Sequence, residues 1–122
     1  MANEITVQFS MSRADAVVTT NTHNIPLKSL TITQSQKTHC DVMATIDTTE
    51  ETVAFTDVLV NGCLFLHNLD ATNYVEIGTT TGDYPIKLKA GEFAFIRLNT
   101  GKTLYARANT AAITLRAVQY PN

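Results

Sequence analysis

Tryptophan is absent from this chain of 122 residues, cysteine occurs twice, proline three times and glycine five times. Charge is sparse as well: 16% of residues are charged, against about 25% in an ordinary soluble domain. Each scarcity excludes something. Nine basic against eleven acidic side chains leave a net charge of -2, so the strongly basic face that nucleic-acid binding needs is not expected. Two cysteines fall short of a disulfide scaffold. The densest apolar region, Val58 to Leu66, is broken by Asn61-Gly62. A membrane-crossing helix takes about 20 consecutive apolar residues, so no membrane partner is expected. Met1 to Val7 shows no basic start, no apolar core and no small-residue cleavage site, and is not expected to act as a secretory signal. Lipidation motifs and Asn-x-Ser/Thr acceptors are missing too, which fits assembly inside a cell.

What is present is β-branched. About one residue in six is threonine, and such side chains pack well on a pleated surface. Alternation of period two recurs along the chain. It sets Ile5, Val7 and Phe9 against Thr6 and Gln8, and Leu30 and Ile32 against Thr31 and Thr33. It continues through Cys40, Val42, Ala44 and Ile46, then Val75 and Ile77, then Ile86 and Leu88. Ala94, Ile96 and Leu98 alternate with Phe93, Phe95 and Arg97; Leu104, Ala106 and Ala108 follow, and Ile113, Leu115 and Ala117 close the series. Turn signals separate these runs: Asn61-Gly62, Thr81-Gly82-Asp83, Ala90-Gly91-Glu92 and Asn99-Thr100-Gly101. A helical period is not sustained anywhere, the best candidate being a short turn around Arg13 to Val17. The expected fold is all-β: a single-domain antiparallel β-sandwich, jelly-roll-like, with about eight to ten strands and spanning residues 1–122.

Asn61-Gly62 lies between two apolar runs, Val58 to Val60 and Cys63 to Leu66, and reads as the turn of a β-hairpin. Because those runs do not alternate, both faces of the hairpin are expected to be covered, by a loop or by another subunit.

Chemistry is hard to find. Gly101-Lys102-Thr103 resembles the end of a phosphate-binding loop, but Ile96 stands where that loop needs glycine and the flanks read as strands. Cys63 and His67 would lie about 13 Å apart along a strand, and His39 and Cys40 would point to opposite faces. A zinc site from Cys40, Cys63 and histidine is weighed against two reduced core thiols, and the core reading is preferred. The serines, Ser10, Ser12, Ser29 and Ser35, sit in no nucleophile elbow. Asp47-Thr48-Thr49-Glu50-Glu51 lacks the ligand spacing and glycine of a calcium loop and reads as a solvated turn. Tyr74, Tyr84, Tyr105 and Tyr120 are available to a sugar, with Tyr105 and Arg107 on one strand face. No catalytic, cofactor-binding or metal residue is assigned, no cofactor is expected, and the chain reads as non-enzymatic. Charge is uneven along it: residues 1–61 carry three basic and seven acidic groups (-4), and residues 62–122 carry six and four (+2). On opposite surfaces these would orient contacts between copies.

One longer pattern stands out in the second half. Phe65-Leu66-His67-Asn68-Leu69 is followed by Asn73-Tyr74-Val75-Glu76-Ile77-Gly78, then by Ile86-Lys87-Leu88-Lys89-Ala90-Gly91-Glu92-Phe93-Ala94-Phe95-Ile96-Arg97-Leu98. Thr103-Leu104-Tyr105-Ala106-Arg107-Ala108 and a last strand complete it. Over residues 63–120 this resembles the small all-β virion proteins of tailed bacteriophages. The resemblance implies a building part of a virus particle, located in the virion and assembled in the host cytoplasm. Its expected role is a capsid decoration or cement protein, with other virion proteins (the major capsid protein, or neck and tail proteins) as partners and a homo-oligomeric state. Two alternatives stand beside it: a carbohydrate- or receptor-binding module of a tail or fibre, and a small jelly-roll enzyme. The segment Thr6 to Phe9 is expected to offer an exposed edge to a neighbouring chain by strand addition.

Overall fold

Strands follow the alternating runs almost one for one. The computed structural model describes residues 3–13, 23–34, 38–55 and 61–121. Ten strands lie among them: β1 (Asn3–Arg13), β2 (His23–Gln34), β3 (Cys40–Ile46), β4 (Glu51–Val53), β5 (Asn61–Asn68), β6 (Val75–Gly78), β7 (Ile86–Leu88), β8 (Phe93–Arg97), β9 (Leu104–Ala108) and β10 (Ile113–Pro121). The chain forms two compact units, residues 1–35 and residues 36–122. Strands β3 to β10 lie in the second unit and β1 and β2 in the first, and the span of 1–122 read from the sequence covers both.

The first unit is a two-stranded antiparallel ribbon of β1 and β2. Its register runs from Asn3 opposite Gln34 to Phe9 opposite Lys28, then shifts so that Met11 faces Ile25. Ser10 therefore faces both Pro26 and Leu27, a bulge on β2. Proline has no N–H to give to a ladder, which suits it to this place on an edge strand.

The second unit has two four-stranded sheets, ordered β3-β10-β5-β8 and β4-β9-β6-β7, with every pairing antiparallel. Only β6 and β7 are consecutive neighbours within a sheet; every other connection leads from one sheet to the other. That order is the eight-stranded jelly roll. The core lies between the sheets. Ile46, Leu64, Leu66, Ile113, Leu115 and Ala117 come from the first, and Val53, Val75, Ile77, Leu88, Leu104, Ala106 and Ala108 from the second. The alternation explains the selection, since residues two apart share a face of a strand. Alanines at 106, 108 and 117 alternate with larger side chains and let the layers interdigitate.

Turns at Gly82, Gly91 and Gly101 appear where the sequence marks them, and Gly91 has φ 78°, a left-handed conformation that side chains resist. The turn expected at Asn61-Gly62 does not form. Both residues belong to β5: Asn61 pairs with Pro121, and the Gly62 carbonyl accepts the Leu98 N–H at 2.8 Å. With ladder partners on β10 and at the end of β8, these residues stay extended, and the local turn preference loses to the sheet. Val58 to Val60 lie outside the described residues, as do 14–17 of the short turn expected from Arg13; Arg13 itself ends β1.

Candidate functional site

Side chains of the β1–β2 ribbon segregate by pleat. Directly opposed residues of an antiparallel pair share a face, so Ile5 and Ile32, Val7 and Leu30, Phe9 and Lys28, and Met11 and Ile25 form one row of pairs. The other face carries Glu4 with Thr33, Thr6 with Thr31, Gln8 with Ser29, and Ser12 with Asn24. The row of Ile5 is thus apolar at its centre apart from Lys28, with Arg13 and Gln34 at its ends, and the opposite row is polar apart from Leu27, which faces Ser10 at the bulge. The apolar face is open: Leu30 is 55% exposed, Phe9 49% and Met11 46%. Ile5, Val7, Ile25 and Ile32 are half-buried. Thr6 to Phe9 lie on a strand with one ladder partner among the described residues, β2, so its other side is an edge. Sequence reasoning found that edge but missed the face, because which residues of β2 stand opposite β1 depends on the bulge at Pro26.

The sandwich presents two further outward faces. On the β3-β10-β5-β8 sheet, Phe65, His67 and Phe93 form a triangle with ring centroids 6.1 Å apart. Phe93 is 64% exposed and Met43 61%. His67 Nε2 lies 3.2 Å from the Gly91 carbonyl. Arg116 grips Asp41 with two bonds, Nε to Oδ1 at 3.2 Å and Nη2 to Oδ2 at 2.8 Å. That hydrogen bonding holds the Asp41 carboxyl below its usual range. The second face of β5 is partly covered: Cys63 is buried, and Phe65 and His67 are half-buried.

On the β4-β9-β6-β7 sheet the outward groups are tyrosines and charges. Tyr84 OH donates to the Glu50 carboxylate, which also accepts the Gly82 N–H at 2.8 Å. These bonds, the tyrosine's first, hold Glu50 below its ordinary value, while the same bond raises Tyr84. Arg107 stacks 4.5 Å from the Tyr84 ring centroid and lies 3.6 Å from Glu76. Lys87 sits 4.2 Å from the Tyr74 centroid, and Tyr105 faces Gly78 across the ladder.

The remaining residues singled out by chemistry are dispersed. Cys40 and Cys63 are free and buried. Cys40 follows the inward row of β3, whereas Cys63 lies on the opposite side of β5 from Leu64 and Leu66, so the pleat keeps the thiols on different faces. No group of three or more metal-ligating side chains is assembled among the described residues. Gly101-Lys102-Thr103 falls in the loop joining β8 and β9, where the Lys102 carbonyl accepts a bond from Asn61 Nδ2 at 2.7 Å. In the acidic run, Glu51 Oε2 accepts the Asp47 N–H at 3.1 Å and Asp47 Oδ1 accepts that of Thr48 at 2.7 Å. Ser10, Ser12 and Ser29 lie on the ribbon, and Ser35 is outside the described residues. Tyr120 packs beside His39, its centroid 5.7 Å away.

Comparison with protein-family models, with curated proteins and with solved structures found no match.

Proposed function

We propose that this chain is a non-enzymatic structural protein of a tailed-phage virion, a capsid decoration or cement protein that acts through subunit contacts. The observation that carries the reading is the open apolar face of the β1–β2 ribbon, with Phe9, Met11 and Leu30 each about half exposed. A two-stranded ribbon is marginal in water by itself, and an apolar face of this kind marks a contact with another molecule. The jelly roll supplies a rigid body to carry it, a fold used by capsid and lectin domains alike. Fold does not imply function, so the pattern of residues 63–120 supplies the choice of a virion. Contacts repeated over a shell add by multivalency, and none needs to be tight alone.

The test is quantitative peptide mass spectrometry on purified particles from the source of the gene. Hundreds of copies per particle support a shell protein. A handful moves the chain to the neck, tail or fibres, and absence from clean particles ends the virion reading.

A second reading, a carbohydrate- or receptor-binding module of a tail or fibre, is favoured by one observation. Tyr74, Tyr84 and Tyr105 lie on or beside one outward sheet face with Lys87, Arg107 and Glu76. Aromatic rings beside fixed hydrogen-bonding groups suit a sugar, although two of these rings already carry a cation on one side. Glycan-array binding that is lost on Tyr105→Ala supports it, and no binding to any glycan removes it.

A further inference from the structure

Asn61-Gly62 is the single Asn-Gly pair in the chain; every other asparagine before the C-terminus is followed by Glu, Thr, Ile, Leu or Tyr. The fold holds this pair extended, and the pair is chemically unstable when it is not. We infer that Asn61 is a latent deamidation site, shut by the start of β5 and open to conversion into aspartate and isoaspartate whenever that strand end comes loose. The inference goes beyond the assembly reading and does not depend on where the chain is located.

The reaction needs no enzyme. The Gly62 backbone nitrogen attacks Asn61 Cγ and forms a C–N bond. The Cγ–Nδ2 bond breaks, and ammonia leaves with the proton that the Gly62 nitrogen gives up. Water then opens the five-membered succinimide at either carbonyl. One opening gives aspartate; the other gives isoaspartate, whose main chain runs through the former side chain and is one carbon longer. Glycine favours ring closure because it has no Cβ to crowd the nitrogen and leaves the backbone free to rotate. Side chains at Leu69, Tyr74, Thr100 and Thr110 hinder the same step after Asn68, Asn73, Asn99 and Asn109.

The folded chain closes the site in three ways. Asn61 and Gly62 belong to β5, with Asn61 opposite Pro121 of β10. In a strand the side chain stands out of the pleat while the next N–H lies in the plane of the sheet, so the nitrogen is directed away from Cγ. The side-chain amide is held separately, its Nδ2 donating to the Lys102 carbonyl at 2.7 Å in the β8–β9 loop. Gly62 is buried, and its carbonyl accepts the Leu98 N–H at 2.8 Å, which limits its movement. All three constraints sit at a strand end, and ends open more readily than the interior of a sheet.

Conversion has a structural consequence. Aspartate at position 61 turns a carboxylate oxygen towards the Lys102 carbonyl in place of the Nδ2 donor, so acceptor meets acceptor and the β8–β9 loop loses its tie. Isoaspartate lengthens the backbone beside the bond between Gly62 and Leu98 and moves β5 off its register with β8 and β10. A chain that has reacted does not return to the same sheet. The pair therefore keeps a one-way record of time spent open at the start of β5.

The test is peptide mass spectrometry on the full chain kept in mildly alkaline buffer, with and without concentrated guanidinium chloride. Exchange of ammonia for water leaves a small mass gain that fragmentation assigns to one residue. In denaturant Asn61 is expected to convert first among the asparagines, into both products. In native buffer its rate falls by about tenfold or more, since only the opened fraction reacts. Gly62→Ala slows the reaction in denaturant, a result that does not require the variant to fold. Asn61→Asp, made directly, lowers the urea midpoint; a variant that fails to fold is the extreme of that result, and the two rates on the parent chain stand without it. Equal rates in buffer and denaturant, as a pair in an open turn would give, overturn the inference, and so does another asparagine leading in denaturant. An Asn61→Asp chain as stable as the parent overturns the consequence for the sheet.

Discussion

Asn68 is the polar residue on which the sandwich turns most heavily. It is fully buried at the end of β5. Its Nδ2 donates to the carbonyls of Asn73, Leu88 and Lys89 at 2.9, 3.1 and 3.2 Å, and its Oδ1 accepts the Asp70 N–H at 3.0 Å. Its own N–H and carbonyl bond to Glu92 and Gly91, both at 3.0 Å. One side chain therefore ties the loop after β5 to the turn between β7 and β8. Asn68→Ala leaves the Leu88 carbonyl and the Asp70 N–H without that partner in the interior. The expected loss is about 2–4 kcal/mol, larger than a single exposed hydrogen bond is worth because desolvated groups are left unmade. Urea unfolding followed by far-ultraviolet circular dichroism measures it, and a midpoint unchanged from the parent would refute the assignment. In the sequence Asn68 stood out only as a member of the run Phe65 to Leu69; its role depends on the carbonyls of Leu88 and Lys89, about 20 positions away.

At the scale of elements, β6 shows how closely strand and turn are fitted. A Cβ at Gly78 would stand 1.9 Å from the Asp83 carbonyl oxygen, because residues 80 and 83 bridge back beside the strand end. The same turn is held from the other side by Glu50, through Gly82 and Tyr84. Gly78→Ala pushes the 79–83 turn away from β6 and breaks the grip of Glu50. The expected cost is about 2 kcal/mol or more, read as a lower urea midpoint, with native-state exchange at Gly82 accelerated. An alanine variant as stable as the parent would show that the turn moves freely. Asn61-Gly62 teaches the opposite lesson: a strong local turn signal yields where both flanking ladders claim the backbone. Cys63, Phe65 and His67 then line the outward side of a strand whose inward side, Leu64 and Leu66, is core. The apolar run Cys63 to Leu66 thus belongs to a strand buried on its inward side and partly covered on its outward side.

For the whole molecule, the division into residues 1–35 and 36–122 carries a consequence for folding. Every member of the buried core cluster lies between Ile46 and Ala117. A chain lacking residues 1–35 therefore keeps the complete core. It is expected to unfold in one cooperative urea transition at nearly the parent midpoint, since the slope and stability follow the surface that the sandwich itself buries. A non-cooperative or strongly lowered transition would show that the ribbon is needed for the fold. By itself the sequence determined the strand content, the inward row of nearly every strand, and the glycine turns at 82, 91 and 101. These are local properties, written in period-two alternation and in the backbone freedom of single residues. Only the tertiary structure decided which rows share a sheet, that β10 lies between β3 and β5, that β1 pairs with β2, and that Asn61-Gly62 is strand. Those outcomes depend on hydrogen bonds and packing between residues far apart in the chain, and nothing in a local pattern names the partner.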